Sequence, residues 1–353
     1  GSAFFLGLDS FLGELPLLLF TLIGGVIADR HDRRQLLIAS QTIQMLCALI
    51  LTGLVFFDVV QIHYILALSF LTGTAQAFGG PAFQSMIPSL VPRSTLPNAV
   101  ALNSVQFNLA QMVGPLIGGG VLVALGLTVC FGLNSMSFLA VIIVLSLMRF
   151  PTPTTDTRQR LIVELKSGLS FVRRQPALLA LTVLAMATTT LGVPIRAFLP
   201  VFADDAAHLS RMMAVLGGGA VVGAFTVAWL GKFQHMGRTL LVVQVAFGGL
   251  VATFASLPIT SLSYVILFFA GSTLLVVFAL TNSLVQLAVP NELRGRVLSI
   301  YMMAFRGGMP LGSLISGYFI TLSSEQVVIT VNGLLLSTVA CYFLIRSHGV
   351  REL

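Results

Sequence analysis

The sequence predicts an all-α membrane protein, and three observations carry that prediction. Hydrophobic residues make up 56% of the 353 and charged residues only 9%, and the mean hydropathy is +0.98, whereas soluble domains hold roughly a quarter charged residues. The apolar residues fall into long runs without alternation, while strands of a membrane barrel would read as alternating segments of about ten residues. Lysine and arginine gather in every second break between runs, as they do where positive loops stay cytoplasmic. The formal charge of +7 therefore reports orientation. No nucleic-acid partner is expected, because the basic residues form no stripe on one face.

Taken in order, the runs fall at about 3–28, 35–57, 62–88, 98–124 and 127–149, and then at about 176–201, 210–231, 238–257, 261–287, 296–321 and 325–346. Each is long enough for a helix to cross about 30 Å of hydrocarbon. Helices are required there, since they satisfy their own backbone groups in lipid. Placing 29–34, 89–97, 149–175, 232–238, 288–296 and the C-terminus on the cytoplasmic side captures all 19 Lys and Arg except Arg196, Arg211 and Arg306. The opposite breaks, near Asp58, Gly126, Pro258 and Glu325, hold none.

Between the fifth and sixth runs the composition changes. Pro151, Pro153, Arg158 and Arg160 precede Leu161, Leu165, Leu169 and Val172 at helical spacing, with Lys166, Arg173 and Arg174 off that stripe, the pattern of an interfacial amphipathic helix. The expected organisation is a first helical half over residues 1–150, a cytoplasmic linker over 151–175 and a second half over 176–353. The halves echo one another. Val91-Pro92 before Gly114-Pro115-Leu116-Ile117-Gly118-Gly119 matches Val289-Pro290 before Gly308-Met309-Pro310-Leu311-Gly312-Ser313, as parallel repeats of a transporter would.

Ionisable residues inside a span are costly and point to function. Counted inward from Asp29 at about 1.5 Å per residue, Glu14 lies roughly 22 Å and Asp9 roughly 30 Å into the span. Glu14 is a candidate proton acceptor, with a structural salt bridge or a polar vestibule as the alternatives. Asp9 is a candidate for the same cavity whose alternative is simple contact with outer water. Arg306 lies about 15 Å along its helix from Arg296, and a guanidinium at that depth requires an acceptor. It is therefore a candidate cavity residue for an anionic or catecholate-like substrate, with Glu14 or a residue of a further helix as the alternative partner. Gln76, Asn103, Gln106, Thr188, Thr189, Asn282 and Gln286 are candidate cavity residues that serve equally well as inter-helix glue. Cys47, Cys130 and Cys341 each sit in an apolar run and read as small hydrophobes. Neither a metal site nor a cofactor is expected. His31, His63, His208, His235 and His348 lie in breaks or at run ends, so an intramembrane enzyme lacks its paired groups.

The break after the first run carries Gly25-Val-Ile-Ala-Asp29-Arg30-His-Asp-Arg33-Arg34. This Gly-x-x-x-Asp-Arg-x-x-Arg-Arg pattern resembles the motif between the second and third helices of the major facilitator superfamily, with Asp32 where many members have Gly. The resemblance implies that Asp29 faces the start of the helix near Gly295-Arg296 and locks the cytoplasmic side. It implies too that Arg30, Arg33 and Arg34 anchor the loop at anionic lipid and nearby acids. Gly114-Pro115 with Gly118-Gly119 is similar to the fifth-helix motif of antiporters, although Ala110 replaces its first Gly. There, proline bends the helix and small residues permit close packing. Ser69-Phe-Leu-Thr72-Gly73 stands where many proton-driven drug antiporters have Arg-x-x-Gln-Gly, so the coupling arginine of those relatives is absent. Leu90 to Asn103 and Pro290 to Val297 resemble the exporter branch that contains siderophore and macrolide efflux proteins.

That superfamily has twelve helices with both ends inside. Eleven runs with a cytoplasmic C-terminus put Gly1 outside, so the resemblance implies a fold with its first helix missing. It further implies a monomeric secondary transporter of a bacterial inner membrane, working by alternating access. The cargo is a small organic molecule such as a siderophore, drug or metabolite, exported against protons. Uptake or facilitated diffusion of a metabolite is the alternative.

Overall fold

Every apolar run is helical in the computed structural model, which describes residues 3–30, 32–92, 95–148, 169–231, 233–258, 260–289, 294–346 and 349–352. In chain order the helices are α1 (Ala3–Arg30), α2 (Arg33–Phe56), α3 (Ile62–Leu90), α4 (Leu96–Leu147), α5 (Pro176–Ala187), α6 (Pro194–Phe202), α7 (Ala206–Leu230), α8 (Met236–Ser256), α9 (Ser261–Ala288), α10 (Arg294–Leu322) and α11 (Glu325–Arg346). Among the described residues, eight segments are long and apolar enough to cross a membrane. They are Ala3–Thr21, Arg33–Phe56, Ile117–Leu147, Pro176–Phe202, Ala206–Leu230, Met236–Ser256, Ser261–Ala288 and Glu325–Arg346.

Local chemistry sets the helix ends. Asp32 caps α2 by accepting from the Arg34 N–H at 2.9 Å, and Asp205 caps α7 by accepting from the His208 N–H at 2.6 Å. Both satisfy amide groups that a first turn leaves orphaned. Thr260 and Ser263 form a reciprocal capping box at α9. At the other end, α3 and α9 stop in the same way: Val91 and Val289 are extended, at φ −136° and −113°, as the residue before a proline prefers. The sequence echo at these two positions is thus also a backbone echo.

The 52 residues of α4 are two arms. Gly126 has φ 83° and ψ 175°, a conformation open in practice only to glycine. Cys130 Sγ lies 3.8 Å from the Gly118 carbonyl, whereas twelve residues of straight helix would separate them by about 18 Å. The chain therefore folds back at Gly126, as the break between the fourth and fifth runs predicts.

Two units are distinguished by their internal packing: Leu8–Arg158, and Gly1–Gly7 with Gln159–Leu353. In the first, α2 packs against α3 and α4. Its small core joins Leu37, Met86 and Leu145. Ser40 Oγ donates to the Ala75 carbonyl at 2.7 Å and Ser135 Oγ to that of Met45 at 3.3 Å, bonds of the kind that hold helices together where lipid offers no hydrophobic drive.

In the second unit the main pairs are α7 with α9 and α8 with α11. A Cβ on Gly219 would strike the Phe268 carbonyl and one on Gly271 the Leu216 carbonyl, so α7 and α9 meet backbone to backbone. One buried cluster includes Phe198, Phe247, Phe254, Leu267 and Ile329. Another includes Leu181, Leu184, Leu240, Leu280 and Tyr301, with Val172 and Val350 packed into it. Val172 belongs to the stripe expected of the interfacial helix; Leu161 and Leu165 lie outside the described residues.

Between α5 and α6 the chain makes a π-helical turn, Thr188–Gly192, closed by the Val193 N–H to the Thr188 carbonyl at 3.1 Å. Pro194, which has no N–H to give, follows at once. The wider turn accommodates it within one continuous segment, and such turns mark functional positions more often than ordinary helix does.

Candidate functional site

The charged knot is built from the end of α1 and the start of α2. Gly25, Asp29 and Arg30 belong to the last turns of α1, but their side chains lie outside the described residues, as does the expected contact of Asp29. Arg33 opens α2. Arg34 is the informative member: its Nε donates to the Leu145 carbonyl at 2.7 Å and its Nη2 to the Ser146 carbonyl. The sequence assigned this guanidinium to lipid and acids. In the structure it satisfies two carbonyls that the last turn of α4 cannot bond internally, with favourable charge toward a helix C-terminus. Asp32, the departure from the motif, is the α2 cap.

The antiporter-type positions Gly114, Pro115, Gly118 and Gly119 lie in the first arm of α4. The helix runs through Pro115 without a non-helical residue, and the break comes at Gly126. A Cβ on Gly114 or Gly118 would meet no described atom within 4 Å. Gly119 is half-buried, and the Pro115 side chain lies outside the described residues.

The ionisable residues within helices are placed more sharply. Asp9, half-buried on α1, accepts a hydrogen bond from Ser69 Oγ on α3, the position where related antiporters carry arginine. One turn further along both helices, a Cβ on Gly73 would strike the Gly13 carbonyl, which fixes the approach of α1 to α3. Glu14 is half-buried on the same helix. Arg306 is exposed in the middle of α10 and has neither a hydrogen bond nor an ion pair with a described residue.

Among the described residues, no hydrogen bond joins one neutral candidate of Gln76, Asn103, Gln106, Asn282 and Gln286 to another. Gln76, Gln106 and Gln286 are exposed, and Asn103 and Asn282 half-buried. Buried polar contacts involve Thr188, one of the candidates, together with Gln244, Ser316 and Asn332, which the sequence did not mark. Gln244, fully buried on α8, donates from Nε2 to Thr188 Oγ1 at 3.0 Å, while its Oε1 and the Thr190 hydroxyl have no partner among the described residues. Asn332 donates to Ser316 Oγ at 2.9 Å. The signal in the sequence was the run Thr188-Thr189-Thr190 ahead of Pro194, whose meaning needs the π-helical turn to be seen.

Comparison with known proteins agrees with this architecture. The chain is 28% identical over 336 residues to the multidrug efflux pump Tap of Mycolicibacterium fortuitum, covering 90% of this chain and 81% of that protein. Macrolide efflux protein A of Streptococcus pyogenes is 25% identical over 332 residues, again 90% and 81%. The enterobactin exporter EntS of Escherichia coli O9:H4 (strain HS) is 26% identical over 307 residues, 84% of this chain and 72% of that one. Among solved structures, the nucleoside transporter NupG superposes with a TM-score of 0.77 at 14% identity, covering 98% of this chain and 91% of that one. A bacterial homologue of the human lysosomal transporter Spinster gives 0.76 at 12% identity, over 99% and 90%. Residues 9–349 match the family model described as transmembrane secretion effector, and the chain belongs to that family of major facilitator transporters, an integral membrane protein and not an enzyme.

Proposed function

We propose that this protein exports a small organic molecule across a bacterial inner membrane by alternating access, in exchange for protons. The observation that carries the reading is the match of residues 9–349 to a secretion family whose members similar to this chain are named as multidrug, macrolide and enterobactin exporters. Residues 1–150 and 176–353 form the two moving halves and 151–175 their cytoplasmic linker, with eleven crossings of a twelve-helix plan and the C-terminus inside. Asp9 and Glu14 are the candidate proton carriers, since the arginine of related antiporters is replaced by Ser69. Asp29 with Gly25, Arg30, Arg33 and Arg34 serves the cytoplasmic gate and lipid anchor.

Uptake is the second reading, supported by the fold likeness to a nucleoside transporter. Everted membrane vesicles containing the protein separate the two. Export against protons makes them accumulate a fluorescent amphiphilic drug when their lumen is acidified, and a protonophore abolishes the accumulation. Accumulation in right-side-out vesicles alone would establish uptake instead.

A further inference from the structure

Arg306 lies twelve residues into α10, about 18 Å along the helix from its first residue, too deep for an arginine to reach the interface by extension alone. An unpaired guanidinium at such depth is costly, so the direction in which it points decides what it does. One side of α10 is taken by the π-helical turn: a Cβ on Gly308 would strike the Thr189 hydroxyl, and one on Gly312 the Thr190 carbonyl. Two residues on a helix differ by about 200°, so Arg306 projects away from that contact.

The face of Arg306 is also marked further along. Ser313, seven residues on, falls on the same side of the helix, and there the first turn of α1 packs. A Cβ on Gly7 would strike the Ser313 carbonyl and lie 3.0 Å from Gly317 Cα, while one on Gly317 would lie 3.1 Å from Gly7 Cα. Arg306 therefore shares the face of α10 that Ala3 and Gly7 cover two turns away, rather than one given over to lipid. Met302 and Met303, 41% and 40% exposed, flank it one turn back at the three- and four-residue spacings that make helix neighbours.

We infer that Arg306, flanked by Met302 and Met303, is the recognition site for an anionic group on an amphipathic organic substrate. The planar fork of the guanidinium matches a carboxylate or sulfonate in two bonds. The thioether side chains offer an adaptable apolar surface to the rest of the molecule. This deepens the transport reading and rests on it for the fate of the bound molecule, but binding itself is measurable without transport.

The test uses purified full-length protein in detergent and equilibrium dialysis of three probes of one shape: naphthalene-2-carboxylate, naphthalene-2-carboxamide and 2-naphthylmethylammonium. The wild type should prefer the carboxylate at least tenfold over both others. Arg306→Gln should lose about ten- to a hundredfold of carboxylate affinity with the amide unchanged, and Arg306→Lys should recover part of the loss. Unchanged amide binding also certifies that the variants are folded. Absence of a carboxylate preference in the wild type, or its survival in Arg306→Gln, overturns the assignment. If the preference holds while vesicles export nothing, the export reading fails and this site stands; export of neutral cargo with no anion preference does the reverse.

Discussion

Arg34 donates its Nε proton to the Leu145 carbonyl at 2.7 Å, tying the first turn of α2 to the last turn of α4. The bond joins residues 111 apart in sequence and is doubled by Nη2 on the Ser146 carbonyl. Bonds to a charged group contribute about 1.5–3 kcal/mol, less where the pair is partly open to solvent. Arg34→Ala should lower the thermal stability of the purified protein by about 1–2 kcal/mol. Arg34→Lys should fall between, because lysine keeps the charge but not the fork. Thermal denaturation in detergent reads this directly, and identical midpoints for all three proteins would mean that the clasp contributes nothing.

The α7–α9 contact gives a sharper contrast between neighbours. Gly219 faces the Phe268 carbonyl at a separation that leaves no room for a methyl group, whereas a Cβ on Gly218 would meet nothing within 4 Å. Gly219→Ala must therefore push the helices apart, with a loss of about 1–3 kcal/mol typical of overpacking. Gly218→Ala should be neutral or stabilising by up to about 1 kcal/mol through helix propensity. Comparable effects of the two substitutions on the melting temperature would refute the backbone-to-backbone packing.

What could be read from the sequence is what depends on local chemistry. The runs, the turn at Gly126, the exits at Val91 and Val289 and the start of α2 each follow from residues within a turn of one another. The role of Arg34 could not be read, because its acceptors are backbone carbonyls supplied by a helix end more than a hundred residues away. The same holds for Ser69, whose absence of charge was visible but whose bond to Asp9 depends on how α1 meets α3. The π-helical turn escaped for another reason: one extra residue in a turn leaves an apolar run looking like any other.

The Asp9–Ser69 bond makes a prediction about coupling. If Asp9 carries the exchanged proton, Asp9→Asn should abolish accumulation driven by a pH gradient in everted vesicles. Exchange of labelled for unlabelled cargo, which needs no net proton movement, should continue. Ser69→Ala leaves the carboxyl in place without its hydrogen bond and should shift the pH dependence of accumulation without removing it. Gradient-driven accumulation at the wild-type rate in Asp9→Asn would transfer the role to Glu14 or another group.

The fully buried Gln244 tests whether the π-helical turn needs its polar neighbour. Its Nε2 bonds Thr188 Oγ1 at 3.0 Å, but Thr188 already donates to the Leu184 carbonyl at 2.8 Å and does not depend on the amide. Gln244→Leu forfeits the bond to Thr188 and the longer one from Nε2 to the Leu184 carbonyl at 3.4 Å, about 1–2 kcal/mol together. It also removes a buried carbonyl that has no described partner, whose desolvation costs about 1–3 kcal/mol. The net expectation is unchanged or slightly raised stability. Thr188→Val instead leaves Nε2 with only the longer bond to the Leu184 carbonyl and should cost about 1 kcal/mol, and combining it with Gln244→Leu should restore most of that loss. Such coupling between the two positions is what a double-mutant cycle of melting experiments measures. Simple additivity would show that the amide and the hydroxyl are neighbours without being energetic partners.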